Sequence, residues 1–439
     1  MRTDRNLHLL LKGSGWVMFF KVLGALSGYL FTFVVSKELG AGTYGIFEMC
    51  FTAMMIITTL GKFGMDSSLV RLIPQYKEQN KRGAIPKVYR NSLWFGTAMG
   101  AVLGIMLFFS AGWLARVFGT EEYEWGFKIT ALIVVPSVWW FINSETLRAF
   151  KRMLPYAMMQ QGAMFLLATL LIWAFPWEGL AENFQVPVIA FYAAILMIAG
   201  LSFLVLRPSL QKEKMNEGTP DSMRFLLRLA SPILVSGSMF LVMSWTDTLM
   251  LGYFADEVAI GVYRVIFKIA SLITFTQFAI NSIAAPMYAQ FHARDSVKDM
   301  AQITRQIGML NLVFAIPIFA AIALFPEFIT GMFGEEYKVG AVEMIVLAAG
   351  QLVNSLCGPN MTILTMTGKE RNAQAIMMVA AGANLLLNFL LIPKYGIMGA
   401  AIATSVSMVL WNIASVAAIY RYYKIITIPI LGYFQRRSW

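Results

Sequence analysis

The chain has 439 residues, of which 58% are hydrophobic and 13% charged, with a mean hydropathy of +0.65. Soluble proteins average about 25% charged residues, so this composition excludes a water-soluble enzyme of one or two domains and points to a bilayer. The net charge of +11 comes from 35 Lys and Arg against 24 Asp and Glu.

A membrane-spanning helix takes about 20 mostly apolar residues, so twelve would use roughly 240 and leave no room for a sizeable soluble domain. Apolar runs and their breaks predict spans at about 14–36, 45–64, 91–115, 127–147, 156–175, 186–206, 230–251, 259–285, 306–325, 340–364, 373–392 and 397–420. The first is preceded by a charged start. Its apolar run is too long for a signal-peptide core and no small-residue cleavage site follows it. The expectation is an uncleaved first span preceded by a short interfacial amphipathic segment.

Cys50 and Cys357 fall inside predicted spans and read as small apolar packing residues rather than a disulfide. Pro136, Pro317 and Pro359 also fall inside spans, where kinks are expected. Gly396, Gly399 and Ala400 are expected to let the last two spans approach closely.

The longest polar connection, 207–221, divides six spans from six and sets a predicted N-lobe at 1–206, a cytoplasmic linker at 207–224 and a C-lobe at 225–439. Each half restates a pattern. Leu39-Gly40 followed by Gly45-Ile46-Phe47 opens the second span, and Leu251-Gly252 followed by Gly261-Val262-Tyr263 opens the eighth. The glycine-led triplets are 216 residues apart, and the same shift carries Ser14 onto Ala230. Because six is even, both halves start on one side of the membrane, which predicts a parallel pseudo-two-fold repeat with the substrate path between the lobes.

Of the 35 basic residues, 26 lie at the termini or in connections after even-numbered spans, and only 5 in the odd connections, beside 11 acids. Both termini are therefore expected in the cytoplasm. The bases are scattered over many loops, which argues against a nucleic-acid partner and leaves membrane lipids as the surface they meet. His8 and His292 are far apart, and no GxSxG, Walker loop or HExxH occurs, so neither a metal centre nor ATP-driven chemistry is expected.

The run Leu39-Gly-Ala-Gly-Thr-Tyr-Gly-Ile-Phe47, then Gly261-Val-Tyr263, then Gly368-Lys-Glu-Arg-Asn372 with Asn384, Asn388 and the segment from Ile392 to Thr404 (IPKYGIMGAAIAT) resembles the oligosaccharide flippase family. This is the polysaccharide biosynthesis and export family of the multidrug/oligosaccharidyl-lipid/polysaccharide exporter superfamily. The resemblance covers nearly the whole chain. It implies an all-α polytopic fold of twelve transmembrane helices in two six-helix lobes, and a location in the cytoplasmic membrane. It also implies transport, not catalysis, of a lipid-linked oligosaccharide on a polyprenyl pyrophosphate carrier, with other polysaccharide-assembly membrane proteins as partners. A multidrug or toxin exporter of the same superfamily is the second reading. A membrane glycosyltransferase or polymerase would need a larger outer loop bearing catalytic carboxylates.

Ionisable groups inside spans cost at least about 2.5 kcal/mol each and normally face a cavity or a partner. Lys21, Glu48, Lys62, Glu145, Asp247, Arg264, Lys268 and Glu343 are such groups. Lys268 lies roughly 13 Å along its span, near the midplane, and Arg264 is one turn away on the same face. Two readings stand for Lys21, Arg264 and Lys268. They line a cationic inter-lobe cavity that receives a pyrophosphate, or they pair with Glu48, Glu145 or Asp247. Lys62, nearer the end of its span, either joins that cavity or snorkels. Glu145 and Arg148 are spaced for a local ion pair, and Glu343 suits a helix N-terminus.

Asp247, Asn384, Asn388 and Thr404 fall at compatible depths in the C-lobe. A carboxylate, two amide oxygens and a hydroxyl suit sodium or, at Asp247, a proton, and the superfamily resemblance implies a coupling ion. An interhelical hydrogen-bond network is the alternative. No other cofactor is expected.

Overall fold

The computed structural model describes residues 2–179, 182–214 and 221–429, with side chains outside the description at 2–18, 161–162, 214, 235–242, 278–279 and 282–283. Its helices are α1 (Arg2–Lys62), α2 (Met65–Glu78), α3 (Ala84–Phe118), α4 (Glu122–Ala149) and α5 (Met153–Ala157), which passes through a π-helical turn into α6 (Ala163–Ala174). Then come α7 (Val186–Lys214), α8 (Met223–Phe254) and α9 (Glu257–Ser271), which a 3-10 turn joins to α10 (Phe275–Ala293). The chain ends with α11 (Val297–Leu324), α12 (Pro326–Gly331), α13 (Ala341–Cys357), α14 (Asn360–Met366) and α15 (Glu370–Tyr423). Among the described residues there is no strand. Eight helices among them are long and apolar enough to cross a membrane, or nine if the bent pair formed by α5 and α6 counts as one span.

α1 has 61 residues. At 1.5 Å per residue a straight helix of that length would reach about 90 Å, three times the thickness of a hydrocarbon core. It is broken once, at Gly40 (φ 87°, ψ 169°), and α15 is broken once, at Gly396 (φ 53°, ψ −127°). Both conformations are open to glycine and strained for residues with a Cβ. The sequence predicts connections of several residues at these places, but single glycines turn the chain. α1 is helical from Arg2, and no proline interrupts its hydrogen-bond ladder before Gly40.

Two further expectations are corrected. α2 lies where the sequence reads as a plain connection. Its buried Met65, Leu69, Leu72, Ile73 and Tyr76 recur at helical spacing among charged neighbours. The Tyr76 hydroxyl donates to Asp221 Oδ2 at 2.6 Å, and burial together with that carboxylate pushes the phenol up to about 12. At Pro359 the helix stops altogether: α13 ends at Cys357, Gly358 takes a positive φ of 78°, and α14 begins at Asn360. Pro136 and Pro317, by contrast, lie within α4 and α11.

α7 stays helical to Lys214, past the expected lobe end at 206, while 215–220 of the expected linker lie outside the described residues. The chain divides into two compact units, Met1–Ser238 (unit 1) and Met239–Trp439 (unit 2), with the boundary inside α8.

In unit 1, Gly96, Gly100 and Gly104 form a buried i, i+4 stripe on α3. A Cβ at Gly104 would fall 2.8 Å from the Ala131 carbonyl oxygen of α4, so this stripe lets the two backbones touch. Phe31, Phe47, Phe165 and Phe191 form an aromatic cluster of tilted and edge-on rings. In unit 2, Gly350 of α13 meets Ser405 of α15 in the same close fashion. Cys50 and Cys357 are free and buried. Large apolar side chains such as Trp94, Phe109, Leu132, Leu324 and Phe328 are exposed, as a lipid-facing surface requires.

Candidate functional site

Asp256 caps α9 by accepting from the Ala259 amide at 2.7 Å, which fixes where that helix begins. Tyr263 therefore stands in the second turn with Arg264 beside it, and Lys268 follows one turn later. α8 supplies Trp245 and Asp247. α15 supplies Asn384 and Asn388 before its break and Thr404 after it. On an unbroken helix Asn388 and Thr404 would be about 24 Å apart. The turn at Gly396 brings both onto one carboxylate.

Asp247 is 4% exposed and Tyr263 1%. Asp247 Oδ2 accepts from the Tyr263 hydroxyl at 2.5 Å and from Thr404 Oγ1 at 2.7 Å, and the two hydroxyls are 3.0 Å apart. Asn388 Nδ2 donates to Asp247 Oδ1 and, at 3.1 Å, to Asn384 Oδ1. All four oxygen-bearing residues singled out from the sequence thus share one hydrogen-bonded cluster, joined by Tyr263. Asn388 Oδ1 is buried without a hydrogen-bond partner. Orphaned buried oxygens are costly. A half-turn of the Asn388 amide would exchange its NH2 for that oxygen and present it toward the carboxylate. The donor set then becomes a carboxylate, two amide oxygens and two hydroxyls, all hard oxygen ligands suited to a small alkali cation.

Arg264 is half-buried, its guanidinium carbon 4.8 Å from the Trp245 ring centroid and 5.9 Å from that of Phe267. Stacking on aromatic faces holds a guanidinium in place. Arg264 also acts electrostatically on Asp247. Lys268 is half-buried one turn on. Two residue pairs, Trp245 with Asp247 and Tyr263 with Arg264, therefore tie the cation-suited cluster to the anion-suited one through the same two helices.

Unit 1 holds the other candidates except Glu343, which belongs to unit 2. Lys21 is exposed on α1. Lys62 Nζ is 2.5 Å from Asp66 Oδ2 and lies over the Phe141 ring, so it is a partnered cation. Glu145 Oε2 is 2.8 Å from Arg148 Nε, and that guanidinium covers the Tyr156 ring. Buried Glu48 accepts from the Tyr44 hydroxyl at 2.6 Å, and Tyr44 also meets Thr32 at 3.0 Å. Glu343 lies in the first turn of α13.

Tyr263 and Trp245 are the residues that sequence reasoning missed as site members. Both sit in apolar helices, where an aromatic ring reads as packing. Their signal is position: Tyr263 directly precedes a span-interior Arg, and Trp245 is two residues from a span-interior Asp.

The family model described as "Polysaccharide biosynthesis protein" matches residues 10–292, and the MatE model matches residues 232–390. An uncharacterized membrane protein of Methanocaldococcus jannaschii is 22% identical over 417 residues, 90% of this chain and 80% of its own length. A probable low-salt glycan biosynthesis flippase of Haloferax volcanii, Agl15, is 27% identical over 168 residues, covering 37% of this chain and 35% of the relative. An inward-facing multidrug resistance MATE family transporter shares the fold with a TM-score of 0.69 at 13% identity, over 91% of this chain and 94% of its own. Lipid II flippase MurJ, in an inward closed conformation, shares it with a TM-score of 0.64 at 14% identity, over 93% and 87%.

Proposed function

The chain belongs to the polysaccharide biosynthesis protein family, and from that premise we propose that this multi-pass membrane protein is a flippase for a lipid-linked oligosaccharide. Its cargo is an anionic polyprenyl pyrophosphate glycan, carried from the cytoplasmic to the outer leaflet of the cell membrane. The observation that carries this reading is the half-buried Arg264, held on the Trp245 ring one turn from Lys268. Two cations kept at that depth suit a diphosphate. Arg264 donates to phosphate oxygens in bidentate fashion and Lys268 adds a point charge. Lys62, already held by Asp66, has less to offer a substrate.

Coupling follows from the Asp247 cluster. A sodium ion bound by Asp247, Asn384, Asn388 and Thr404 replaces the protons that Tyr263, Thr404 and Asn388 now donate to the carboxylate, with Thr404 and Asn388 turning their oxygens to the ion. A ligand shifts a conformational equilibrium only by its differential affinity for the two states. Rearranging Tyr263 moves the residue next to Arg264, so ion binding and phosphate binding act on one helix. The positions 216 residues before Asp247 and Tyr263 are Phe31 and Phe47, whose rings lie 4.9 Å apart. Unit 1 thus has rings where unit 2 has the carboxylate, which supports ion coupling confined to unit 2. Counting the helices on either side of Gly40 and Gly396 separately raises the spans to ten, or eleven with the α5–α6 pair, and the 32-residue α8 would be the twelfth of the proposed twelve crossings.

A multidrug or toxin cation antiporter is the second reading, favoured by the buried carboxylates of Glu48 and Asp247. Protein reconstituted with a pyrophosphate-linked oligosaccharide separates the two. Charge-removing substitutions at Arg264 and Lys268 that leave flipping intact in well-folded protein would contradict the proposal.

A further inference from the structure

Far in sequence from the Asp247 cluster, four basic side chains of unit 1 converge on a cavity of about 240 Å³: Lys77, Arg82, Arg152 and Lys212. They come from the end of α2, the α2–α3 connection, the residue before α5 and the last turn of α7. Part of the cluster is held by local contacts. Arg152 donates through one terminal nitrogen to the Val205 carbonyl at 2.6 Å and to Ser209 Oγ at 3.3 Å. Lys77 lies 3.5 Å from Glu213 and over the Phe150 ring.

These contacts leave a surplus of positive charge. Glu213 is the one acid among the lining residues, and Arg82 and Lys212 are exposed with no ion pair among the described residues. Arg152 uses one nitrogen of a group that carries five N–H donors. Four cations gathered around one opening repel each other unless an anion neutralises them. A guanidinium pair with a lysine is the donor set that matches a phosphate.

The surroundings narrow the anion further. Leu204, 67% exposed, precedes the residue whose carbonyl Arg152 holds, and Leu201 is exposed one turn earlier on α7. Leu154 of α5, two residues past Arg152, is exposed as well. Exposed apolar side chains thus flank Arg152 along the chain and at its contact on α7, and the Phe150 ring forms part of the cavity wall. An inorganic anion would use only the cations, whereas an amphiphile uses both.

We propose that this cavity binds the phosphate headgroup of an anionic phospholipid, whose acyl chains lie along Leu154, Leu201 and Leu204. Basic pockets between helix ends are a recurrent way to hold such headgroups. The site is separate from the α9 cations assigned to cargo, and it stands whether or not that assignment does.

The test uses the full-length protein in mixed micelles of detergent with phosphatidylglycerol or with phosphatidylcholine, and a third arm with inorganic phosphate alone. Retained lipid is counted by native mass spectrometry and thermal unfolding is followed in parallel. Wild type should retain phosphatidylglycerol preferentially and be stabilised by it, with little response to inorganic phosphate. The double substitution Arg82→Gln with Lys212→Gln removes two exposed charges, each worth about fivefold near an anionic surface, so the preference should fall roughly thirtyfold. The charge-keeping pair Arg82→Lys with Lys212→Arg should restore it. Equal phosphatidylglycerol retention by the double glutamine variant would overturn the proposal. So would stabilisation by inorganic phosphate equal to that by the lipid, which would make the cavity a free-phosphate site.

Discussion

Asp247→Asn keeps the shape of the buried cluster and removes its charge. Two opposing effects act on folding. The carboxylate accepts from Tyr263, Thr404 and Asn388, and charge-assisted bonds weaken on neutralisation by about 1 kcal/mol each. A neutral amide, however, is far cheaper to bury than a carboxylate. Net stability in sodium-free buffer should therefore change little. Ion binding should not survive. A unit charge about 4 Å from a cation at an effective dielectric of about 20 contributes about 4 kcal/mol, nearly three powers of ten in affinity. At a sodium concentration of about one hundred times the wild-type dissociation constant, binding stabilises wild type by about 2.7 kcal/mol. With affinity nearly a thousandfold lower, the same concentration adds only about 0.1 kcal/mol. Thermal unfolding of purified protein titrated with sodium chloride against choline chloride reads this directly. The wild-type curve should move with sodium and the Asp247→Asn curve should not. Equal sodium stabilisation of both proteins would refute a cation site at Asp247 and leave the cluster as interhelical hydrogen bonding.

Further outcomes follow from the same geometry. Thr404→Val keeps the side-chain shape but deletes one oxygen ligand; it should raise the half-saturating sodium concentration about tenfold, and an unchanged titration would remove Thr404 from the site. Arg264→Gln should slow oligosaccharide flipping roughly 10- to 100-fold in vesicles, the range for losing one charge-assisted contact. Arg264→Lys should restore only part of the rate, because lysine lacks the bidentate fork and the stack on Trp245. Gly399→Ala should lower thermal stability by about 1–3 kcal/mol, since its Cβ would fall 2.5 Å from the Leu391 carbonyl group; an unaltered melting curve would show that α15 can open at its break without cost.

Polar residues that a bilayer penalises are legible in the sequence. Asp247, Asn384, Asn388 and Thr404 can be grouped from it because each is an expensive choice at its depth, and expensive choices share partners. Tyr263 cannot be added on that ground, because its ring fits an apolar helix and only the hydroxyl is polar. The partner of Lys62 is hidden for another reason: Asp66 lies past the second span, in α2, which the sequence reads as a connection. Chain reversals show the same limit. Gly40 and Gly396 each turn a helical run within one residue, whereas hydropathy averages over a window and spreads such a turn over several. At Gly358 the sequence offers Pro359 as a kink, but a glycine at positive φ before a proline ends the helix instead.

Flippase activity driven by a coupling ion is tested most directly in vesicles carrying a polyprenyl pyrophosphate oligosaccharide, by measuring how fast the sugar becomes accessible from the opposite side under an imposed sodium gradient. Sugar translocation should depend on the protein, quicken with the gradient and be lost with Arg264→Gln. Transport of organic cations without any movement of the sugar would contradict the assignment.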